Sequence, residues 1–220
     1  MADSFHLSGD SSLPALPAAA RIVLLPAAGR SQRMGDHKLS LLLGGNTLLG
    51  EVLANYLAAQ VDLIVIVRRP DDEKIPSLLP PSDRVVLVTP ESAPEEMKTS
   101  LTYALAAIRQ LAMETSQHRY LLSPPDMPFL RPSLIELLLA ESGSHSDVLI
   151  PTFAGRRGHP VIFSDRIARL MDAIPPNEGL NSLWKREDVQ IREIPVDNDE
   201  ILFDVDTPQN YAEALIRCGK

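Results

Sequence analysis

Residues 21–38 read RIVLLPAAGRSQRMGDHK, an apolar stretch that runs into a loop of small and polar residues. The apolar part, 21–25, predicts a short buried strand. The stretch 61–67, VDLIVIV, is rich in β-branched residues and predicts a central strand of a sheet. Between the two, apolar residues recur with the spacing of one helical face over 47–59. A strand, a loop, a helix and a second strand in this order are typical of a parallel α/β unit.

The rest of the chain continues this alternation and then departs from it. Further strands are predicted at 84–88, 119–122, 147–153, 160–163 and 191–195. Helices are predicted over 95–113, from Ser133 with Glu136 completing a capping box, and from Thr207 with Pro208 in the first turn. The sequence therefore predicts one α/β domain over 21–220, with a mostly parallel sheet, helices on both faces and a small hairpin insertion.

Composition and charge exclude several classes of protein. Residues 1–20 are dominated by Ser, Gly, Pro and Ala and carry no Lys or Arg, which predicts a disordered leader rather than a secretory signal. The net charge of −8 argues against a nucleic-acid partner held through its phosphates. No apolar run approaches the roughly 18 residues that would cross a bilayer. The single cysteine, Cys218, permits no intrachain disulfide, which is typical of a cytoplasmic protein.

The loop at 26–38 lies where parallel α/β sheets bind their ligands, beyond the carboxyl end of a strand. Ala28 and Gly29 leave room for backbone N–H groups to approach a phosphate or a base. Arg33 and Lys38 carry charge that can neutralise a triphosphate. The glycine spacing fits neither the Walker A loop nor the dinucleotide-binding pattern. From these residues alone, a surface loop with solvated charges remains the alternative.

The same loop resembles the signature A-A-G-x-S-x-R-M-G-x-x-K of the NTP transferases that build molybdenum cofactor dinucleotides. All fixed positions are present, namely Ala27, Ala28, Gly29, Ser31, Arg33, Met34, Gly35 and Lys38. Later segments resemble further motifs of that family, in the same order: GNTLL at 45–49, SPPDMPF at 123–129, RGHP at 157–160 and DVDTP at 204–208. The resemblance covers residue 21 to about residue 217. It implies a single glycosyltransferase-A-like (Rossmann-like) domain that uses Mg²⁺ to transfer a nucleoside monophosphate from an NTP to a phosphorylated acceptor.

The resemblance also implies a catalytic and metal-binding set. Asp126 and Asp206 are the expected Mg²⁺ ligands, and Asp206 is preferred to Asp204 because it aligns best with the second ligand of the family. Arg33 and Lys38 are expected to bind the triphosphate and the leaving pyrophosphate, so that the catalytic residues are Arg33, Lys38 and Asp126. Taken singly, Asp126 also fits a turn-forming residue, and Asp206 a charge that flanks a helix.

The expected binding residues lie around the same loop. The nucleotide-binding set is Ala27, Ala28, Gly29, Arg30, Ser31, Arg33, Lys38 and Ser100. His159 is expected to contact the acceptor, with the alternative that it only fixes a hairpin turn.

The base and the acceptor follow from finer features of the resemblance. In this family an A-A-G loop accompanies CTP and an A-G-G loop accompanies GTP, so Ala28 favours CTP by narrowing the base pocket. The RGHP segment also points to the cytidylyl branch of the family. Asp126-Met127-Pro128 is instead closer to the guanylyl branch, and Glu96 stands where the family usually has Gly. The expected acceptor is molybdopterin or another phosphorylated metabolite, with a molybdoenzyme as a candidate partner. Two alternatives stay open: a guanylyl- or sugar-phosphate nucleotidyltransferase, and a non-catalytic chaperone that binds the cofactor.

Overall fold

The computed structural model describes residues 4–8, 15–29, 34, 37–111, 117–143, 146–171, 173–174 and 178–219. Its strands are β1 (Phe5–Ser8), β2 (Arg21–Pro26), β3 (Leu42–Leu43), β4 (Asn46–Thr47), β5 (Leu63–Val67), β6 (Val85–Pro90), β7 (Arg119–Leu122), β8 (Val148–Phe153), β9 (Arg156–Arg157), β10 (Val161–Ser164) and β11 (Ile191–Pro195). Its helices are α1 (Leu48–Ala58), α2 (Ile75–Leu78), α3 (Met97–Leu111), α4 (Pro132–Glu141), α5 (Asp165–Met171) and α6 (Pro208–Cys218). Short 3₁₀ helices lie at Lys38–Ser40, Leu180–Lys185 and Asp199–Leu202. Within these described ranges, no helix has the length and apolar character needed to cross a membrane.

The described strands form a nine-stranded sheet and a separate hairpin of β3 and β4. The main sheet has the order β1-β6-β5-β2-β7-β10-β8-β11, and β9 pairs with β8. The central strands β6, β5, β2 and β7 run parallel to one another, and β11 runs parallel to β8. Every residue of β5 and β6 is buried, because parallel strands of this kind are covered on both faces. The prediction of a mostly parallel sheet is confirmed.

Helices cover both faces of the sheet, as predicted. Side chains alternate along β2, so that Val23 and Leu25 point to one core while Ile22 and Leu24 point to the other. Buried residues of α1, α4 and α6 belong to the first core. Buried residues of α3 and α5 belong to the second. The two layers hold the sheet rigid, and its carboxyl-end loops are the place left for a ligand.

The predicted hairpin insertion is also present. Strand β8 turns through Ala154 and Gly155, both with positive φ, into β9. Strand β10 then runs antiparallel between β7 and β8, and β11 closes the edge of the sheet. The last helix begins as predicted, with Thr207 accepting a hydrogen bond from the N–H of Asn210 and Pro208 in the first turn.

The structure differs from two local predictions. Phe5–Ser8, within the predicted leader 1–20, forms a strand antiparallel to β6, and the Phe5 ring packs edge to face on Tyr103 at 6.3 Å. Residues 1–3 and 9–14 of the predicted leader lie outside the described residues. Alternate apolar side chains make this short segment fit the sheet edge. Helix α4 begins at Pro132 rather than after a Ser133 cap, because Pro holds Arg131 extended and suits the first helical position.

Candidate active site

The candidate site lies beyond the carboxyl ends of the central strands. The strand order β6-β5-β2-β7 reverses at β2, because β5 and β6 lie on one side of it and β7 on the other. The loops after β2 and β7 therefore diverge and leave a crevice, which is where open α/β sheets bind ligands. The predicted strands and loops converge on this crevice.

Three distant segments meet there through the ammonium group of Lys38. This residue opens the 3₁₀ helix Lys38–Ser40, Asp126 follows β7, and Asp206 immediately precedes the N-cap of α6. The Lys38 Nζ donates to Oδ2 of Asp126 and, at 2.6 Å, to Oδ1 of Asp206. The two carboxylate loops are also joined through the backbone, since the N–H of Val205 donates to the carbonyl of Asp126 at 3.0 Å. The structure thus brings together the predicted catalytic lysine and both predicted metal ligands.

This carboxylate cluster, defined as Lys38, Asp126 and Asp206, carries more negative than positive charge. Burial raises the pKa of the Asp126 carboxyl against the opposing effect of Lys38, and the carboxylates of Asp206 and Asp204 raise it further. Burial acts to lower the pKa of Lys38, but the two carboxylates outweigh it and hold the lysine charged. Asp126 is only 5% exposed, and its Oδ1 has no hydrogen-bond partner among the described residues. One ammonium therefore faces two carboxylates, one of which has a buried oxygen left unsatisfied.

The donor set fits a divalent cation that also binds a ligand. Mg²⁺ takes oxygen ligands and is commonly held by one or two carboxylates together with phosphate oxygens. Asp126 and Asp206 both reach the same ammonium, and the orphaned Oδ1 of Asp126 is a free lone-pair donor beside them. Within the described part of the chain, no group of three or more His, Cys, Asp or Glu side chains could hold a metal on its own. The residues thus suit an open two-carboxylate site completed by a substrate.

A first cleft of about 670 Å³ lies on the β6 side of the crevice. Ala28 and Gly29 after β2 line it together with Ser100 of α3, so three of the predicted nucleotide-binding residues share one wall. Ala27 is buried in the core, and its N–H donates to the carbonyl of Val67 at 2.8 Å, so that N–H is used within the sheet. The predicted residues Arg30, Ser31 and Arg33 lie outside the described residues.

Sequence reasoning did not single out Arg69, which also lines the first cleft. Its guanidinium is held by the carboxylate of Asp71, with Nε–Oδ1 at 2.9 Å and Nη2–Oδ2 at 3.0 Å. This fork fixes a positive side chain in the wall of the cleft. The available signal was its place two residues after the central strand β5, at the same sheet edge as the 26–38 loop.

A second cleft of about 470 Å³ lies on the β10 side and contains His159. Nδ1 of His159 donates to the carbonyl of Leu122 at 3.3 Å, and the backbone N–H of His159 donates to the carbonyl of Ile201 at 2.9 Å. Gly158 permits this approach, because a Cβ there would lie 2.3 Å from the Ile201 carbonyl oxygen. Burial lowers the pKa of His159 and favours the neutral ring. His159 therefore bonds to the neighbouring backbone and also lines a cleft, and its contact with the acceptor stays a prediction.

The two clefts share one wall. Glu96 and Met97, at the start of α3, line both of them. The second cleft also contains Trp184 and Arg157, neither of which the sequence had suggested as a binding residue. The two clefts therefore adjoin each other at the start of α3.

Comparison with known proteins agrees with this geometry. A family model, the MobA-like NTP transferase domain, matches residues 23–191. The molybdenum cofactor guanylyltransferase of Rhodopseudomonas palustris (strain HaA2) is 31% identical over 217 residues, covering 94% of this chain and 95% of the relative. The molybdenum cofactor cytidylyltransferase of Escherichia coli (strain K12) is 25% identical over 194 residues, covering 88% of this chain and 95% of the relative.

Solved structures share the fold. Rv0371c of Mycobacterium tuberculosis H37Rv superposes with a TM-score of 0.75 at 24% identity, covering 91% of this chain and all of that one. Its complex with manganese superposes with a TM-score of 0.70 at 23% identity, covering 90% of this chain and 99% of that one. The family match spans the loop after β2, Asp126 and the RGHP segment. The chain therefore belongs to the MobA-like NTP transferase family of nucleotidyltransferases.

Proposed function

We propose that this protein transfers a nucleoside monophosphate, preferentially CMP, from an NTP to the phosphate of molybdopterin, with release of pyrophosphate. The observation that carries the proposal is the carboxylate cluster, because its loops continue from strands that line the two clefts. The loop that begins at Ala28 and Gly29 in the first cleft leads to Lys38, and β7, whose Leu122 lines the second cleft, leads to Asp126. We assign the nucleotide to the first cleft and the acceptor to the second, with their phosphates directed toward Lys38, Asp126 and Asp206.

The reaction sets clear demands on these residues. An acceptor phosphate oxygen forms a bond to the α-phosphorus, and the bond from that phosphorus to the bridging oxygen breaks, so that the electron pair leaves with pyrophosphate. Two polyanions must approach each other, and charge neutralisation and alignment therefore carry most of the catalysis. We assign Lys38 and Arg33 to the triphosphate and to the charge that builds on the leaving pyrophosphate. No protein nucleophile is required.

We assign Asp126 and Asp206 to Mg²⁺. When bound, the cation supplies positive charge to the phosphate oxygens. The excess negative charge of the cluster and the unsatisfied Oδ1 of Asp126 support this assignment. The manganese complex of the M. tuberculosis protein supports a divalent cation in a protein of this fold.

We assign the first cleft to the nucleotide, through Ala28, Gly29 and Ser100, and we keep Arg30 and Ser31 as predicted nucleotide-binding residues. The methyl group of Ala28 lines the cleft and reduces the width open to a base, which supports CTP. Arg69, fixed by Asp71, adds positive charge to the same cleft. His159 is assigned to the acceptor in the second cleft.

GTP is the second candidate donor, and Glu96 is the observation that favours it. The exposed Glu96 lines the first cleft, where the base would lie. Guanine presents two adjacent N–H donors on its pairing edge, and the two oxygens of one carboxylate can accept both hydrogen bonds. Cytosine presents mostly acceptors on the same edge. The 31% identity to a guanylyltransferase supports the same choice. Glu96→Gln separates the two, because it weakens binding of guanine and leaves CTP turnover within a few-fold.

The test is release of pyrophosphate from each NTP in the presence of Mg²⁺ and molybdopterin. We expect release with CTP and little with GTP. Asp126→Ala should lower the rate by more than ~10²-fold, because a metal-supported charge contribution is worth several kcal/mol. Asp188→Asn, which removes a carboxylate from a surface ion pair with Arg186, is the matched control. Release with GTP alone selects the second candidate, and NTP binding without any release contradicts the catalytic proposal.

A further inference from the structure

We infer that Trp184 determines the class of acceptor, by stacking against a flat heteroaromatic ring in the second cleft. The inference rests on the proposed function and deepens it, because it favours a fused-ring phosphate such as a pterin over a sugar phosphate. It concerns a residue outside every motif that carries the family resemblance.

The composition of the cleft is the first argument. Its lining combines the polar side chains of Glu96, Lys98, Arg157 and His159 with a larger apolar set, namely Met97, Leu122, Ile150, Val161, Leu180 and Trp184. A sugar ring carries hydroxyl groups around most of its edge, and each hydroxyl that faces an apolar side chain loses a hydrogen bond. A flat heterocycle buries its faces there at no such cost. A volume of about 470 Å³ suits a small bicyclic or tricyclic ligand.

The placement of Trp184 is the second argument. It lies near the end of the 3₁₀ helix Leu180–Lys185 and is partly buried, packed against the second core on one side. The core fixes the indole, while the part that lines the cleft remains accessible. A fixed indole is a preorganised stacking surface, since little side-chain entropy is lost when a ring binds.

Charges in the same cleft orient the ring. Arg157 lies on the RGHP segment, half-exposed and paired with Glu193, and it can meet an acidic group at the solvent end. Lys98, the second residue of α3, lines the cleft, and its ammonium group donates to the carbonyl of Glu178 at 2.7 Å. Nδ1 of His159 donates to the carbonyl of Leu122, the last residue of β7, and the loop after β7 carries Asp126. A ring on the indole would therefore direct its phosphate past His159 toward the loop that carries Asp126.

Trp184 also supplies its own reporter, because it is the only tryptophan of the chain. The experiment titrates the full-length protein with 6-hydroxymethylpterin phosphate and, in parallel, with glucose 1-phosphate. We expect the pterin probe to quench Trp184 emission in a saturable manner and the sugar phosphate to leave it unchanged. Quenching by neither probe, or by glucose 1-phosphate with equal affinity, overturns the inference.

Variants add a second measurement. Trp184→Leu should weaken binding of the pterin probe by roughly 5- to 150-fold, the range for loss of one base–aromatic stack, and Trp184→Phe should stay within about fivefold of the wild type. Equilibrium dialysis measures this binding, since the Leu variant has no indole to report it. Binding of CTP in the first cleft should be unchanged in both variants, which shows that they are folded. Equal affinity of Trp184→Leu and wild type for the pterin probe overturns the inference.

The two proposals fail in different ways. Saturable quenching by the pterin probe without pyrophosphate release from molybdopterin and any NTP contradicts the proposed function and leaves the stacking site intact. Pyrophosphate release whose KM for molybdopterin is the same in wild type and Trp184→Leu contradicts the stacking site and leaves the proposed function intact.

Discussion

Replacing Arg217 should weaken binding of the divalent cation, although this residue touches neither predicted ligand. Its guanidinium lies 4.0 Å from the ring centroid of Phe203 and 5.8 Å from that of Phe129, and the two rings pack edge to face. Phe129 follows Asp126 by three residues, and Phe203 precedes Asp206 by three. Arg217 of α6 thus holds together the two loops that carry the carboxylates.

The effect on stability should be moderate. The cation–π contact with Phe203 contributes about 0.5–1 kcal/mol at a partly exposed site. The forked ion pair with Asp199, whose side chain is 49% exposed, contributes about 0.2–1 kcal/mol. Arg217→Ala should therefore cost about 1–2 kcal/mol and lower the Tm by about 2–8 °C for a chain of this length.

The second expected effect of replacing Arg217 is a lower affinity for Mg²⁺. Residues bonded directly to metal ligands typically change metal affinity by about 10- to 100-fold when they are replaced, and Arg217 acts one contact further out. We therefore expect Arg217→Ala to need about three- to tenfold more Mg²⁺ for half-maximal pyrophosphate release. Arg217→Lys, which keeps the charge and loses the fork, should fall between this variant and the wild type.

The control for this prediction is Arg192→Ala. Arg192 makes a comparable surface ion pair with Glu141 that joins β11 to α4. It should lower the Tm by a similar amount and leave the Mg²⁺ dependence unchanged. If Arg217→Ala lowers the Tm but keeps the wild-type Mg²⁺ dependence, Arg217 only anchors α6, and the reasoning is wrong.

The central part of the fold could be predicted because its signals are local. Strands β5 and β6 are continuous apolar runs, and Thr207 is the predicted cap residue, whose side chain accepts the N–H of Asn210. Strand β1 could not be predicted, because four residues within a Ser- and Pro-rich stretch carry little local preference. It is stabilised by pairing with β6, which lies about 80 residues away along the chain.

The candidate site was also predictable only in part. The resemblance selected Lys38, Asp126 and Asp206, and in the structure both carboxylates bind the ammonium group of Lys38. It did not select Arg69 or Trp184, because their positions depend on how a loop and a 3₁₀ helix fold back over the crevice. Residues in motifs are readable from sequence, whereas the walls of a cleft depend on tertiary packing.

Two further predictions concern folded-state packing. Burial lowers the pKa of His118 below its ordinary value of 6.5, and its Nδ1 accepts the backbone N–H of Ala20 at 3.0 Å. The unfolded chain therefore binds more protons than the folded chain once the pH falls below about 6.5, and the free energy of unfolding should decrease there. His118→Asn, which keeps an acceptor, should flatten this dependence in urea titrations from about pH 5 to pH 8. Gly158→Ala should act on the second cleft, because its Cβ would lie 2.3 Å from the Ile201 carbonyl oxygen and would push the His159 segment away. Overpacking of this kind costs about 1–3 kcal/mol. We expect a lower Tm and a higher KM for the acceptor, with CTP binding unchanged. Gly143→Ala, whose Cβ meets open space, is the control. A Gly158→Ala protein with the Tm and acceptor KM of the wild type would mean that this close approach does not shape the cleft.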